Sequence, residues 1–141
     1  MAYYLVSPEV PGQLGDGTVL DRSGDRLRVT RLEYAFDGWL GDELITSHPA
    51  FAATRSLADT LLSAGLSGFG LREMEVTQSD EFRELHPGRE LPEFVELVVT
   101  GTAGVDGLGV DPDTNLVVSQ QALDIITATR PRDMTVIPFT G

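Results

Sequence analysis

The sequence contains no cysteine and no lysine, and only one tryptophan and two histidines. Without cysteine there is no disulfide framework, no thiolate metal site and no thiol nucleophile. All ten basic residues are arginine, set against 22 carboxylates, so the formal net charge is −12. Such a surface repels nucleic acid and anionic membranes and favours basic partners. No apolar run approaches the ~18–20 residues that cross a bilayer. The opening Met1–Val6 has no basic region and is too short for a signal peptide, which leads to the expectation of a cytoplasmic protein.

What is present is an ordinary globular composition, 41% hydrophobic over 141 residues. A chain of this length can bury roughly 68–70% of its unfolded surface, and residues 1–141 read as one domain. Its most distinctive stretch is Tyr34-Ala35-Phe36-Asp37-Gly38-Trp39-Leu40-Gly41-Asp42-Glu43-Leu44, which holds the only tryptophan among glycine–carboxylate pairs. Trp39 reads either as a buried core anchor or as an interface residue flanked by Asp37, Asp42 and Glu43.

The pattern predicts an α+β fold: a mixed or mostly antiparallel sheet packed by two principal helices. Residues 2–6, 18–20 and 27–32 read as strands, and the Pro- and Gly-rich Ser7–Gly17 as a loop with turns. Ser56-Leu57-Ala58-Asp59 matches a capping box, and Leu57, Leu61 and Leu62 form an apolar face over a helix at 56–64 that Gly65 closes. Phe69–Thr77 reads as a strand, Ser79 as the cap of a short helix stopped at His86-Pro87-Gly88, and Phe94–Gly101 as another strand. A shift of 65 residues superposes Thr54 on Ser119, Leu57 on Ala122, Ala58 on Leu123 and Leu61 on Ile126. The second helix is expected at 120–129, and the chain reads as two strand–helix–strand units.

Chemistry is harder to find. His48 and His86 each precede a proline, and no Gly-x-Ser-x-Gly elbow occurs, so no nucleophile–base pair is legible. Asp106, Asp111 and Asp113 lack the spacing of a calcium loop, as do Asp16, Asp21 and Asp25. Gly12-Gln13-Leu14-Gly15-Asp16-Gly17 lacks the lysine of a phosphate loop. The reading is of a non-enzyme with no cofactor and no metal. More informative is Glu73–Glu96, which carries eight carboxylates against Arg83 and Arg89. Alternation along the two strands would put Glu73, Glu75 and Glu96 on one outer face with Phe94, while Val95, Leu97 and Val99 face the core.

Tyr3-Tyr4-Leu5-Val6-Ser7-Pro8-Glu9-Val10-Pro11-Gly12, the Phe36-Asp37-Gly38-Trp39-Leu40-Gly41-Asp42 segment, Glu84-Leu85-His86-Pro87-Gly88-Arg89 and Leu116-Val117-Val118-Ser119 together resemble small bacterial immunity proteins of polymorphic toxin systems. The resemblance implies a protein that binds and neutralises a cognate toxin, with no catalytic residues to carry over. It agrees with an acidic surface offered to a basic toxin. The expected contact residues are Asp37, Trp39, Asp42, Glu43, Glu73, Glu75, Phe94 and Glu96. A non-catalytic binding or scaffold module, and then a small enzyme, are the alternatives.

Overall fold

The computed structural model describes residues 2–24 and 26–140. Strand β1 (Tyr3–Ser7) opens the chain, followed by β2 (Gly12–Leu14), the ribbon strands β3 (Val19–Asp21) and β4 (Arg28–Arg31), and β5 (Glu33–Phe36). The hairpin of β6 (Leu44–Ser47) and β7 (Ala50–Thr54) leads into α1 (Arg55–Ser63) and β8 (Phe69–Arg72). Then come β9 (Glu75–Gln78), α2 (Asp80–Leu85), β10 (Phe94–Val99), β11 (Leu108–Val110), β12 (Leu116–Ser119), α3 (Gln120–Thr127) and β13 (Thr135–Pro138). The fold is α+β, with mostly antiparallel sheets and α1 and α3 as its principal helices. No helix among the described residues is long and apolar enough to cross a membrane.

Local chemistry sets the helix ends. The hydroxyl oxygens of Thr54 and Ser119 accept the backbone N–H of Leu57 and Ala122, each at 3.2 Å. Thr54, rather than Ser56, is therefore the cap of α1, two positions before the one the capping-box pattern predicts, and the helix begins at Arg55. Gly65 follows α1 at a φ of +74°, a conformation that favours glycine. Ser79 caps α2 through the Phe82 N–H. Leu57, Ala58 and Leu61 are buried in α1, and Ala122, Leu123 and Ile126 at the corresponding positions of α3. Leu62, expected on the same face, is 52% exposed, because it falls beyond the edge of the buried stripe.

The two strand–helix–strand units have the same topology. Strands β7 and β8 flank β10, and β12 and β13 flank β1, giving sheets of order β6-β7-β10-β8 and β11-β12-β1-β13. Every flanking pair is antiparallel. The register agrees too: Phe51, Leu97 and Leu71 stand in line across the first sheet, as Leu116, Val6 and Val136 do across the second. The same 65-residue offset that relates the helices relates Phe51 to Leu116 and Leu71 to Val136. Only the outer hairpin strand is slipped, by one residue, since Leu44 opposes Ala53 whereas Leu108 opposes Val118. The central strand of the first unit follows its helix; that of the second comes from the start of the chain.

Helices α1 and α3 pack together, so the two units share one core that includes Val6, Leu57, Leu61, Val95, Leu116 and Ile126. The first sheet is buried on its other face as well. There Ala52 and Phe94 join Tyr34, Phe36, Ile45 and Phe82 beneath a third sheet of order β2-β5-β9. This covering layer corrects three expectations. Phe94 and Glu96 do not point to solvent; each is 3% exposed. Phe69–Thr77 is not one strand, because the chain leaves the first sheet after Arg72 and joins the third sheet as β9, parallel to β5. The Ser7–Gly17 segment is not wholly loop, since β2 pairs with the other edge of β5.

The matched caps yield a test. Ser119→Ala should cost about 1 kcal/mol of unfolding free energy. Thr54→Ala should cost more, because Thr54 also donates to Glu43 Oε1 at 2.6 Å. Urea unfolding of both variants checks the order; equal losses would remove the Glu43 contribution.

Candidate partner-binding surface

The aromatic segment begins inside the core and ends at the surface. Tyr34 and Phe36 on β5 are fully buried, their ring centroids 4.8 Å apart, and the Tyr34 hydroxyl donates to the Thr46 carbonyl at 2.9 Å. Phe36 lies 5.4 Å from Phe94, and Phe94 meets Trp39 edge-on at 5.9 Å. Trp39 is the outermost ring of this series and is half-buried. Its Nε1 donates to the Asp42 carbonyl at 2.9 Å. The Arg89 guanidinium sits 4.7 Å above the indole while Nη1 donates to the Trp39 carbonyl at 2.9 Å. Packing, hydrogen bond and cation–π contact thus all engage the indole, which makes Trp39 an anchor of its own loop.

Two carboxylates hold that loop. Glu9, 3% exposed, accepts the Leu40 N–H on Oε2 at 2.7 Å and the Asp42 N–H on Oε1 at 3.2 Å. Asp42, 2% exposed, accepts the N–H groups of Arg132 and Asp133 at 2.6 and 2.9 Å. The carbonyl of Pro11 takes the N–H groups of Asp37 and Gly38. Gly41, at a φ of +108°, supplies the left-handed turn between the two carboxylate ties. Burial raises the Glu9 pKa above the usual carboxylate range, with the hydrogen bonds from Leu40 and Asp42 opposing that shift. Segment 37–43 is thereby fastened to the chain before β2 and to the residues leading into β13.

What this loop offers to solvent is apolar. Leu40 is 56% exposed and Val10, on the adjoining segment, 61% exposed. Asp37 and Glu43 stand half-buried in the loop. Of the contact residues expected in this segment, Asp42 is buried and Trp39 half-buried, whereas Leu40 and Val10, which were not among them, are exposed. An exposed leucine between two glycines was the available signal.

The second expected patch dissolves into separate ion pairs. Glu73 binds Arg55, which also binds Glu93, at 2.7 and 2.8 Å. Glu75 binds Arg31 from a different sheet. Glu96 is buried and receives Arg72 Nε and Nη2 at 2.9 and 3.0 Å. The like charges are kept apart by arginines that the sequence places far away in the chain. Phe94 lies between Phe36 and Trp39 and has no surface to offer.

The remaining polar candidates have structural surroundings. His48 is exposed in the β6–β7 turn, and His86 closes α2 with its ring 5.2 Å from Phe82. Asp106 accepts the Thr102 N–H, and Asp111 accepts those of Asp113 and Asn115. Among the described residues no three His, Asp or Glu side chains are grouped as metal ligands. Asp25 lies outside the described residues.

The Arg72–Glu96 pair has a measurable consequence. Burial raises the Glu96 pKa, with Arg72 pulling the other way. Arg72→Met leaves a buried carboxylate without its partner and should cost roughly 2–4 kcal/mol at pH 7. A raised folded-state pKa means that the folded chain holds the proton more tightly than the unfolded one. The loss should therefore grow as pH rises through that pKa and shrink under acid conditions. Urea titrations at two pH values check this, and a loss independent of pH would contradict it.

No family model, curated protein or solved structure matches this chain.

Proposed function

We propose that this protein is an immunity protein that binds and neutralises a cognate bacterial toxin in the cytoplasm of the cell that carries both. The observation that carries the reading is the fastened loop 37–43, which leaves Leu40 exposed, with Val10 exposed on the segment tied to it, on an acidic chain. Pre-ordering of this kind lowers the entropy lost on binding, and an apolar centre with acidic surroundings suits a basic partner. The resemblance of the Phe36–Asp42 segment to immunity proteins of polymorphic toxin systems supports the same assignment.

The roles within the surface differ. Leu40 and Val10 form the apolar contact, with Asp37 and Glu43 as its rim. Trp39 and Asp42 hold the loop in place, and Phe94 supports Trp39 from within, while Glu96 pairs with Arg72 away from this loop. Glu73 and Glu75 are exposed and contribute to the acidic field, each screened by an arginine.

The test is whether a toxin gene adjoins this one and whether this chain rescues growth of cells expressing that toxin, combined with binding kinetics on the purified pair. The wild-type chain should rescue. Leu40→Ala should speed dissociation and cost about 2 kcal/mol of binding while leaving the unfolding midpoint unchanged. Removing Asp37 and Glu43 charges should instead slow association, most at low salt. Undiminished binding by Leu40→Ala would move the contact off this loop. Failure of the wild-type chain to rescue would overturn the immunity function.

A further inference from the structure

Two adjoining cavities lie at the β3–β4 ribbon near the seam between β10 and β11; one is lined by residues of both ribbon strands, and the other touches the ribbon segment only at Arg26. One, about 400 Å³, is lined by Leu27 and Val29 of the ribbon and by Arg72, Glu96 and Val98 of the first sheet. The other, about 630 Å³, is walled by Ala103, Pro112 and Phe139. They meet at Arg26, Thr100 and Val110, which line both. Volumes of this size suit a small molecule, and the ribbon roof is fastened to the first sheet by Arg72 Nη2 donating to the Val29 carbonyl at 2.7 Å.

The carboxylates around this space are engaged within the fold. Glu96 takes both nitrogens of Arg72. Asp21 accepts the backbone N–H and the hydroxyl of Ser23 at 2.9 and 2.6 Å. Asp111 accepts the N–H groups of Asp113 and Asn115 and the side-chain amide of Asn115. The three carboxylates of the lining are thus occupied. Among the described residues neither Arg26, half-buried at the junction of the cavities, nor Arg28, exposed and lining only the first, has an ion-pair partner. A planar cation beside apolar walls matches a carboxylate attached to an apolar body, which a guanidinium can grip through two parallel hydrogen bonds.

We propose that the space under the β3–β4 ribbon is a binding site for a small amphipathic carboxylate, whose head pairs with Arg26 and whose apolar body lies against Leu27, Val29 and Val98. The site is separate from the Leu40 surface and stands or falls independently of the immunity function.

Phenylbutyrate and phenylbutylamine, which share an apolar body and differ in the charge of the head, test it on the intact chain. Titration followed by amide chemical shifts and calorimetry should show phenylbutyrate binding at about 1 mM or tighter. The shifts should centre on Arg26, Thr100 and Val110, and the amine should not produce them. Arg26→Met should weaken binding about tenfold, while Arg26→Lys, which keeps the charge but not the fork, should fall between. Unfolding curves on both variants establish that the fold is retained. Equal binding of the amine, undiminished binding by Arg26→Met, or shifts confined to residues outside the ribbon and seam would each overturn the site.

Discussion

Glu9 and Asp42 are carboxylates taken almost completely out of water, and each is satisfied by two backbone N–H groups from a different part of the chain. Moving such groups into the interior is costly unless their hydrogen-bonding capacity is met, so the arrangement holds only while all three segments stay together. Through these two side chains the residues before β2, the aromatic loop and the residues before β13 become one unit. The third sheet, the Trp39 ring and the exposed Leu40 all take their positions from it. A neighbouring parallel bridge between Glu9 and Ile45 extends the link to the edge of the first sheet.

The rest of the core is organised by repetition. Each principal sheet is made by a hairpin, a helix and a returning strand around one central antiparallel strand, and the helices of the two units close on each other. Neither helix is long enough to be stable alone, so each depends on burying its stripe against a sheet and against its counterpart. The central strands have the same register but different origins in the sequence, so the linear 65-residue offset relates the inner hairpin strand, helix and returning strand of the two units but not their central strands. The first unit carries the third sheet on its outer face; this asymmetry creates the aromatic cluster and with it the loop.

The helices were legible because their signals are local: Ser or Thr caps, apolar residues at helical spacing, and Gly65 at the end of α1. The equivalence of the two units was legible for the same reason. The faces of β10 were not. Phe94-Val95-Glu96-Leu97-Val98-Val99 invites an alternating reading, yet a strand covered on both sides is apolar nearly throughout. The one charge that breaks the run, Glu96, is matched by Arg72, 24 residues earlier. Likewise β2 and β9 exist because β5 lies between them, and neither short segment declares itself without that partner. In the candidate surface, the aromatic segment was visible, but its orientation was set by Glu9, Arg132 and Asp133 from opposite ends of the sequence. Those contacts turned Trp39 inward and left Leu40 outside.

The central claim is that loop 37–43 is a pre-ordered surface held by buried carboxylates. Amide hydrogen exchange measures this residue by residue. The backbone N–H groups of Leu40, Asp42, Arg132 and Asp133 should exchange as slowly as those of the adjoining strands in the wild-type chain, and Glu9→Ala should release Leu40 and Asp42 while leaving α1 and α3 protected. Exchange of the Leu40 and Asp42 amides at the rate of an unstructured loop in the wild-type chain would contradict the account.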